Sequence, residues 1–198
     1  NQEREKRLKI NLEQMLLNAS CYVQGQVKTF TSPSLQTRLD EACGYLLQNT
    51  YTKLDYIQKY QDDPWRELRA VLYADDVTIA GLNFEDSRFN PKAVREIEDY
   101  IALRSHGTER IYAYEVVEHF NKRPFGWTDG EILLILGQLA VAGRITFDRG
   151  SSTATGLKEA FPVLENSRQR REVGISQKKQ TDERLLRQAK ELAKDLFA

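Results

Sequence analysis

The run Ile132–Ala142 constrains this chain more than any other feature. It is apolar at almost every position, with Gln138 inside it, and it follows a turn rich in proline, glycine and aromatic residues. A helix that is apolar all round has no face for water, so the rest of the fold must enclose it. The run is about half the ~20 residues that a membrane span needs, so the enclosure is expected to be protein. Its neighbours define a pattern. Ala113–Phe120 reads as a helix and Arg123-Pro124-Phe125-Gly126 as a turn. Thr128–Ala142 reads as a second helix stopped by Gly143, and Arg144–Asp148, with Ile145 and Phe147 alternating, as a strand. A Gly/Ser/Thr loop follows over Arg149–Gly156. Helix, short turn, helix, strand and loop is the order of a winged helix-turn-helix.

The segments before this module are also mostly helical. Leu8, Leu12, Met15, Leu16 and Ala19 recur at helical spacing over residues 3–19. CYVQGQVKTF (21–30) reads as a hairpin turning at Gly25. Ser32 and Pro33 suit the N-cap and first position of a helix that carries Leu35, Leu39, Ala42, Tyr45 and Leu46. Cys21 and Cys43 are expected as small core residues. The stretch 51–100 is acidic, with 11 Asp+Glu against 7 Lys+Arg. It contains a short helix Trp65–Tyr73 behind Pro64 and a longer one from Asn90-Pro91 to Leu103, stopped near His106-Gly107. In the longer helix Val94, Ile97, Ile101 and Ala102 are expected to face inward. The tail 166–198 is basic and ends in a predicted helix, 181–197, with Leu185, Ala189, Leu192 and Leu196 as one stripe. The expected architecture is therefore mainly α with short β elements, a helical domain plus a winged-helix-like module. Its organisation is a helix-hairpin-helix entry (1–50), an acidic helical middle (51–107), the module (108–165), and a basic linker with a C-terminal amphipathic helix (166–198). A start without methionine, NQEREKR, and an end at KDLFA read as those of a piece cut from a longer polypeptide.

Chemistry is sparse. Lys+Arg and Asp+Glu balance at 29 each, which excludes a generally basic nucleic-acid binder. Two cysteines outside any C-x-x-C pair are expected in a reducing cytoplasm. No Gly-rich phosphate loop of the G-x-x-x-x-G-K-[ST] type occurs, nor a G-x-S-x-G elbow. His106 and His119 lack metal-ligand spacing. Asp62-Asp63 and Asp75-Asp76 are pairs that a third ligand would turn into a cation site, but adjacent side chains diverge and such dipeptides usually cap helices. The chain is expected to be non-catalytic, with no catalytic, cofactor or metal residues.

Two kinds of contact are left. The helix Thr128–Ala142 would be the recognition helix of a DNA-binding winged helix, yet its leading residues, Thr128, Asp129, Gly130 and Glu131, would set two carboxylates against phosphate. The candidate nucleic-acid residues are instead Arg168, Arg170, Arg171, Lys178 and Lys179 in the basic segment. Leu185, Leu192 and Leu196, with Trp65 and Phe125, are candidate partner contacts. Trp127 is expected to be buried at the helix junction.

The segment FNKRPFGWTDGEILLILGQLAVAGRITF (120–147), with its Pro-aromatic-Gly-Trp turn, resembles the C-terminal part of the BrxC family. These are the large P-loop ATPases of BREX bacteriophage-exclusion systems, related to PglY proteins. The opening helix with CYVQGQVKTF, and the ending LLRQAKELAKDLF, resemble the same region. The resemblance implies antiviral defence in the cytoplasm, within an assembly of BREX proteins. ATP and Mg²⁺ would belong to an ATPase domain outside these residues. The implied role is protein assembly, with other BREX components or a second copy as partners, DNA reachable through the basic segment, and no membrane. The competing expectation is a winged-helix regulator that binds DNA as a dimer.

Overall fold

A computed structural model of the protein describes residues 2–74, 89–105, 110–150 and 155–178. Contacts group these residues into two units. The first is Asn1–Asp55 together with Arg123–Gly126; the second is Tyr56–Lys122 together with Trp127 and the described residues after it. The expected His106-Gly107 stop, the Asp75-Asp76 pair, Lys179 and the 181–197 helix lie outside the described residues.

The first unit contains α1 (Gln2–Leu17), the hairpin β1 (Cys21–Val23) and β2 (Gln26–Lys28), and α2 (Leu35–Thr50). Gln24 and Gly25 both take positive φ, 52° and 78°, which matches the right-handed twist of a two-residue hairpin turn. The strands pair Cys21 with Lys28, Tyr22 with Val27 and Val23 with Gln26. α2 starts later than expected. Ser34 is its N-cap, and the Ser32 hydroxyl donates instead to the Glu41 carboxylate. The Arg38 guanidinium donates to the carbonyls of Ser32 and Leu17, tying the end of α1 to the start of α2. Cys43 is exposed on α2 and Cys21 is half-buried, so neither is the core residue expected; Cys43 sits one position off the half-buried row Leu35, Ala42 and Tyr45. The turn Arg123–Gly126 belongs to this unit. Lys53 N–H donates to Pro124 O at 2.9 Å. Gly126 has φ +69°, and a Cβ there would meet the Tyr51 ring at 2.5 Å, so only glycine fits.

The second unit contains the winged helix. Its elements are α3 (Pro64–Tyr73), α4 (Pro91–Ser105), β3 (Ile111–Tyr112), α5 (Ala113–Asn121), α6 (Asp129–Val141), β4 (Ile145–Arg149), α7 (Leu157–Glu165) and β5 (Val173–Gln177). Residue chemistry sets the helix ends. Asp63 Oδ1 accepts from Arg66 N–H ahead of Pro64 at the first turn of α3. Glu115 takes the Tyr112 N–H at 2.9 Å to start α5. Gly143, at φ +70°, ends α6 while Arg144 N–H reaches back to Leu139 O. In α4, Val94, Ile97 and Ile101 are buried as expected, with Ala93, while Ala102 is only partly covered. Asn90, at φ 51°, accepts from Gln58 and Lys59 N–H and donates to Lys59 O, latching the start of α4 to the loop before α3.

The sheet runs β3-β5-β4, antiparallel throughout. Ile111 and Phe147 both pair with Ile175, and all three are buried, so one layer of side chains crosses the sheet into the core. This corrects the reading of 166–178 as a basic linker. Val173–Gln177 is the central strand; Val173, Gly174 and Ile175 are buried, and the side chains of Val173 and Ile175 lie on one face of the sheet. The flanking charges Arg168–Glu172 and Lys178-Lys179 hid a period carried by five residues.

α6 is enclosed along its length, with every residue from Gly130 to Val141 buried. α3 lies against the face that carries Gly130 and Gly137. A Cβ at Gly130 would come within 2.9 Å of Pro64 Cβ, and one at Gly137 within 2.5 Å of Leu68 Cδ1. Overpacking this contact is expected to be costly. Gly130→Val should lower the unfolding free energy of the second unit by about 1–3 kcal/mol. Gly137→Ala should cost less, because the Leu68 side-chain tip can move where the Pro64 ring cannot. Urea titration followed by circular dichroism checks both; equal losses would mean that α3 is free to shift on α6.

Candidate interaction surfaces

The leading end of α6 is where a DNA-reading winged helix would meet base edges. Here those groups are spent inside the second unit. Thr128 Oγ1 accepts from Glu131 N–H as the helix cap. The Glu131 side chain turns away from solvent, with the residue 1% exposed, and its Oε1 accepts from Gln61 N–H at 2.6 Å. Asp129 accepts from Asn121 Nδ2 at 2.6 Å and pairs with Arg170. Burial raises the Glu131 carboxyl above the ordinary carboxylate range, and the Gln61 N–H opposes that shift. Tyr60 is raised as well, by burial first and then by the charge of Glu131.

The sign of this shift gives a test. The folded state holds the Glu131 proton more tightly than the unfolded chain does, so its contribution to stability grows as pH falls through and above the ordinary carboxylate range. Glu131→Gln keeps an acceptor for Gln61 and carries no charge. It is expected to be more favourable, relative to the parent, at about pH 7 than at about pH 5. Unfolding free energies at the two values check this; the opposite order would show that the charged form is the one the fold favours.

Arg170 departs from the role expected of it. It is 5% exposed. Its Nε donates to Leu164 O at 2.6 Å, Nη2 to Glu165 O at 3.4 Å, and Nη1 to Asp129. The guanidinium lies over the Trp65 ring at 5.3 Å. One side chain thus caps α7 and connects it to α6 and α3. Trp65, expected as a partner contact, is half-buried and occupied by that cation. Phe125 is buried too, with the Lys53 ammonium over its ring at 5.1 Å. Of the remaining expected residues, Arg168, Arg171 and Lys178 are exposed, and Arg171 rests over the Tyr114 ring at 5.4 Å. Leu185, Leu192, Leu196 and Lys179 lie outside the described residues. Other cations around the wing face acids: Arg149 pairs with Glu172, Arg110 with Asp148, and Arg144 with both Glu98 oxygens. His119 is an exposed helix residue stacked on Tyr100 at 4.2 Å.

The first unit presents a different surface. The α1 stripe Leu8, Leu12, Met15 and Leu16 is exposed, Met15 to 70%. Tyr22 and Val27, directly opposite each other on the hairpin, are 69% and 55% exposed. A groove of about 370 Å³ lies beside them, lined among others by Tyr22, Leu46, Thr50 and Arg123. The α1 stripe was legible from its spacing. The Tyr22–Val27 pair depends on the turn: 22 and 27 differ by an odd number, and only the two-residue turn at Gln24-Gly25 brings them to one face.

Residues 53–187 match a family described as the BREX ATP-binding protein BrxC winged helix-turn-helix domain. Residues 1–46 match a second, the BREX ATP-binding protein BrxC 4th domain with six-stranded beta sheet. The break between the two matches falls close to the division between units after Asp55. No solved structure matches the chain. The architecture is mainly helical with small sheets, its winged helix agrees with the first match, and that match spans well over half of the residues. The chain belongs to the BREX ATP-binding protein BrxC family.

Proposed function

We propose that this chain is a non-catalytic assembly region of a BREX ATP-binding protein, acting in the cytoplasm in defence against bacteriophage and docking onto other components of the same system. The observation that carries this reading is the enclosure of α6: the helix that a DNA-reading winged helix would present is buried from Gly130 to Val141, and its leading carboxylates are engaged in cis. A winged helix so covered is a packing module rather than a reader. Among the described residues no helix is long and apolar enough to cross a membrane, in keeping with partners that are proteins. The competing regulator needs cations at the start of α6, and the sequence supplies Asp129 and Glu131 there.

ATP and Mg²⁺ belong, on this reading, to a domain outside these residues, since no Gly-rich phosphate cradle occurs in the sequence. Calorimetry is expected to give no saturable heat when ATP and Mg²⁺ are titrated into the 198-residue protein. Micromolar binding would place a nucleotide site in this chain. The docking itself is tested by pull-down against each of the other proteins of a BREX system. Retention of at least one of them by the chain is the expected result, and retention of none contradicts the assembly role.

A further inference from the structure

Around the three-stranded sheet of the second unit, Arg104, Arg110, Arg144, Arg149 and Arg170 each pair with a carboxylate. Arg168 and Arg171 make no ion pair among the described residues. Of these two, Arg171 is held in place, because its guanidinium lies over the Tyr114 ring at 5.4 Å. Arg170 and Arg171 are neighbours in the 3-10 turn Gln169–Glu172, where each residue rotates by about 120°, so their side chains leave in different directions. Arg170 enters the junction of α3, α6 and α7, whereas Arg171 leaves over α5 and stays exposed. The acids beside Arg171 are already engaged: Glu118 holds Lys122 and Glu172 holds Arg149, both at 2.6 Å. Tyr112 lies next to Tyr114 with ring centroids 6.2 Å apart, and both rings are half-buried.

We infer that Arg171, with Tyr114 and Tyr112 beside it, anchors a carboxylate-bearing segment of a protein partner, which supplies the acid that the fold does not. A guanidinium already resting on a ring face has given up part of its rotamer freedom, so an incoming carboxylate orders it at reduced cost. Its planar fork suits two parallel bonds to one carboxylate. Arginine and tyrosine are also the residue types on which binding energy concentrates, and the two rings offer apolar contact around the incoming acid. Protein is favoured over nucleic acid by the neighbouring charges. One carboxylate needs only the guanidinium, whereas successive phosphates along a strand would meet Glu118 and Glu172 beside it.

This inference rests on the proposed docking role and deepens it, by naming the chemistry of one contact through which another BREX protein is held. The probe is the BREX protein retained in the pull-down, treated with nuclease and titrated with the 198-residue protein and its variants. Arg171→Ala and Tyr114→Ala should each weaken the complex about tenfold or more. Arg171→Lys should restore only part, since lysine lacks the fork. Arg171→Ala should melt with the parent, unlike Arg170→Ala, because it removes no hydrogen bond of the fold. Arg171→Glu should abolish binding, and replacing one aspartate or glutamate of the partner by lysine should restore it. Binding unaltered by Arg171→Ala and Tyr114→Ala overturns the inference and leaves the docking role standing, whereas retention of no BREX protein removes both. Failure of every lysine replacement to restore binding also overturns it. So does a complex that nuclease dissolves, or self-association of the chain that Arg171→Glu abolishes, because either gives the surface a different occupant.

Discussion

Trp127→Ala is expected to lower the unfolding free energy of the second unit by about 3–5 kcal/mol, the range for large aromatic truncations in cores. Trp127 is completely buried. Its ring stacks on Phe120 with centroids 5.0 Å apart and planes 2° from parallel, and the Trp127 backbone N–H donates to Phe120 O at 3.0 Å. Phe120 in turn meets Tyr100 edge-on at 5.6 Å, so α4, α5 and the start of α6 converge on one aromatic group. Removing the indole leaves a cavity beside Phe120, between α5 and the start of α6. Trp127→Phe keeps most of the volume and should cost clearly less. Urea denaturation of both variants checks this, and a parent-like Trp127→Ala protein that has lost a partner would identify Trp127 as an interface residue.

The second large effect is expected at Arg170. Arg170→Ala removes the donors that satisfy Leu164 O and Glu165 O, and leaves Asp129 without its cation at the mouth of α6. Breaking a buried charged hydrogen-bond group of this kind costs about 2–4 kcal/mol. Asp129 is 44% exposed, which sets the loss below that of a fully buried pair. Arg170→Lys keeps the charge but not the planar fork or the stacking on Trp65, so it should recover only part of the stability. Arg168→Ala, two residues away and exposed, should change it by no more than about 0.5 kcal/mol. Equal small effects at 168 and 170 would return Arg170 to the solvated basic segment.

This contrast shows what the sequence could and could not reveal. The apolar run of α6 leaves no choice but burial, and Gly143, Pro64 and Gly25 mark ends and turns through backbone demands that few residues meet. Those elements were legible. Arg170 was not, because a cation between Gln169 and Arg171 reads like its neighbours until a carbonyl and a carboxylate are brought to it across 41 positions. The strand Val173–Gln177 was lost for a related reason: its partners Ile111 and Phe147 are distant in sequence, and five residues give too short a period to stand out beside charged flanks. α7 was missed because Gly156 and Pro162 look like breakers, although Pro162 lies inside the helix. At the surface, spacing identified α1 as amphipathic but could not say that its apolar face stays exposed.

The central claim is that this winged helix is enclosed and does not read DNA. It is tested most directly by equilibrating the protein with a pool of random short duplexes at low salt and sequencing the bound fraction. The account predicts no enriched motif. Any residual binding should fall steeply with salt and vanish when Arg168, Arg171, Lys178 and Lys179 are neutralised, as phosphate contacts require. An enriched motif that disappears on substitution of Thr128 or Asp129 would contradict it, because α6 would then reach base edges from a position the fold keeps closed.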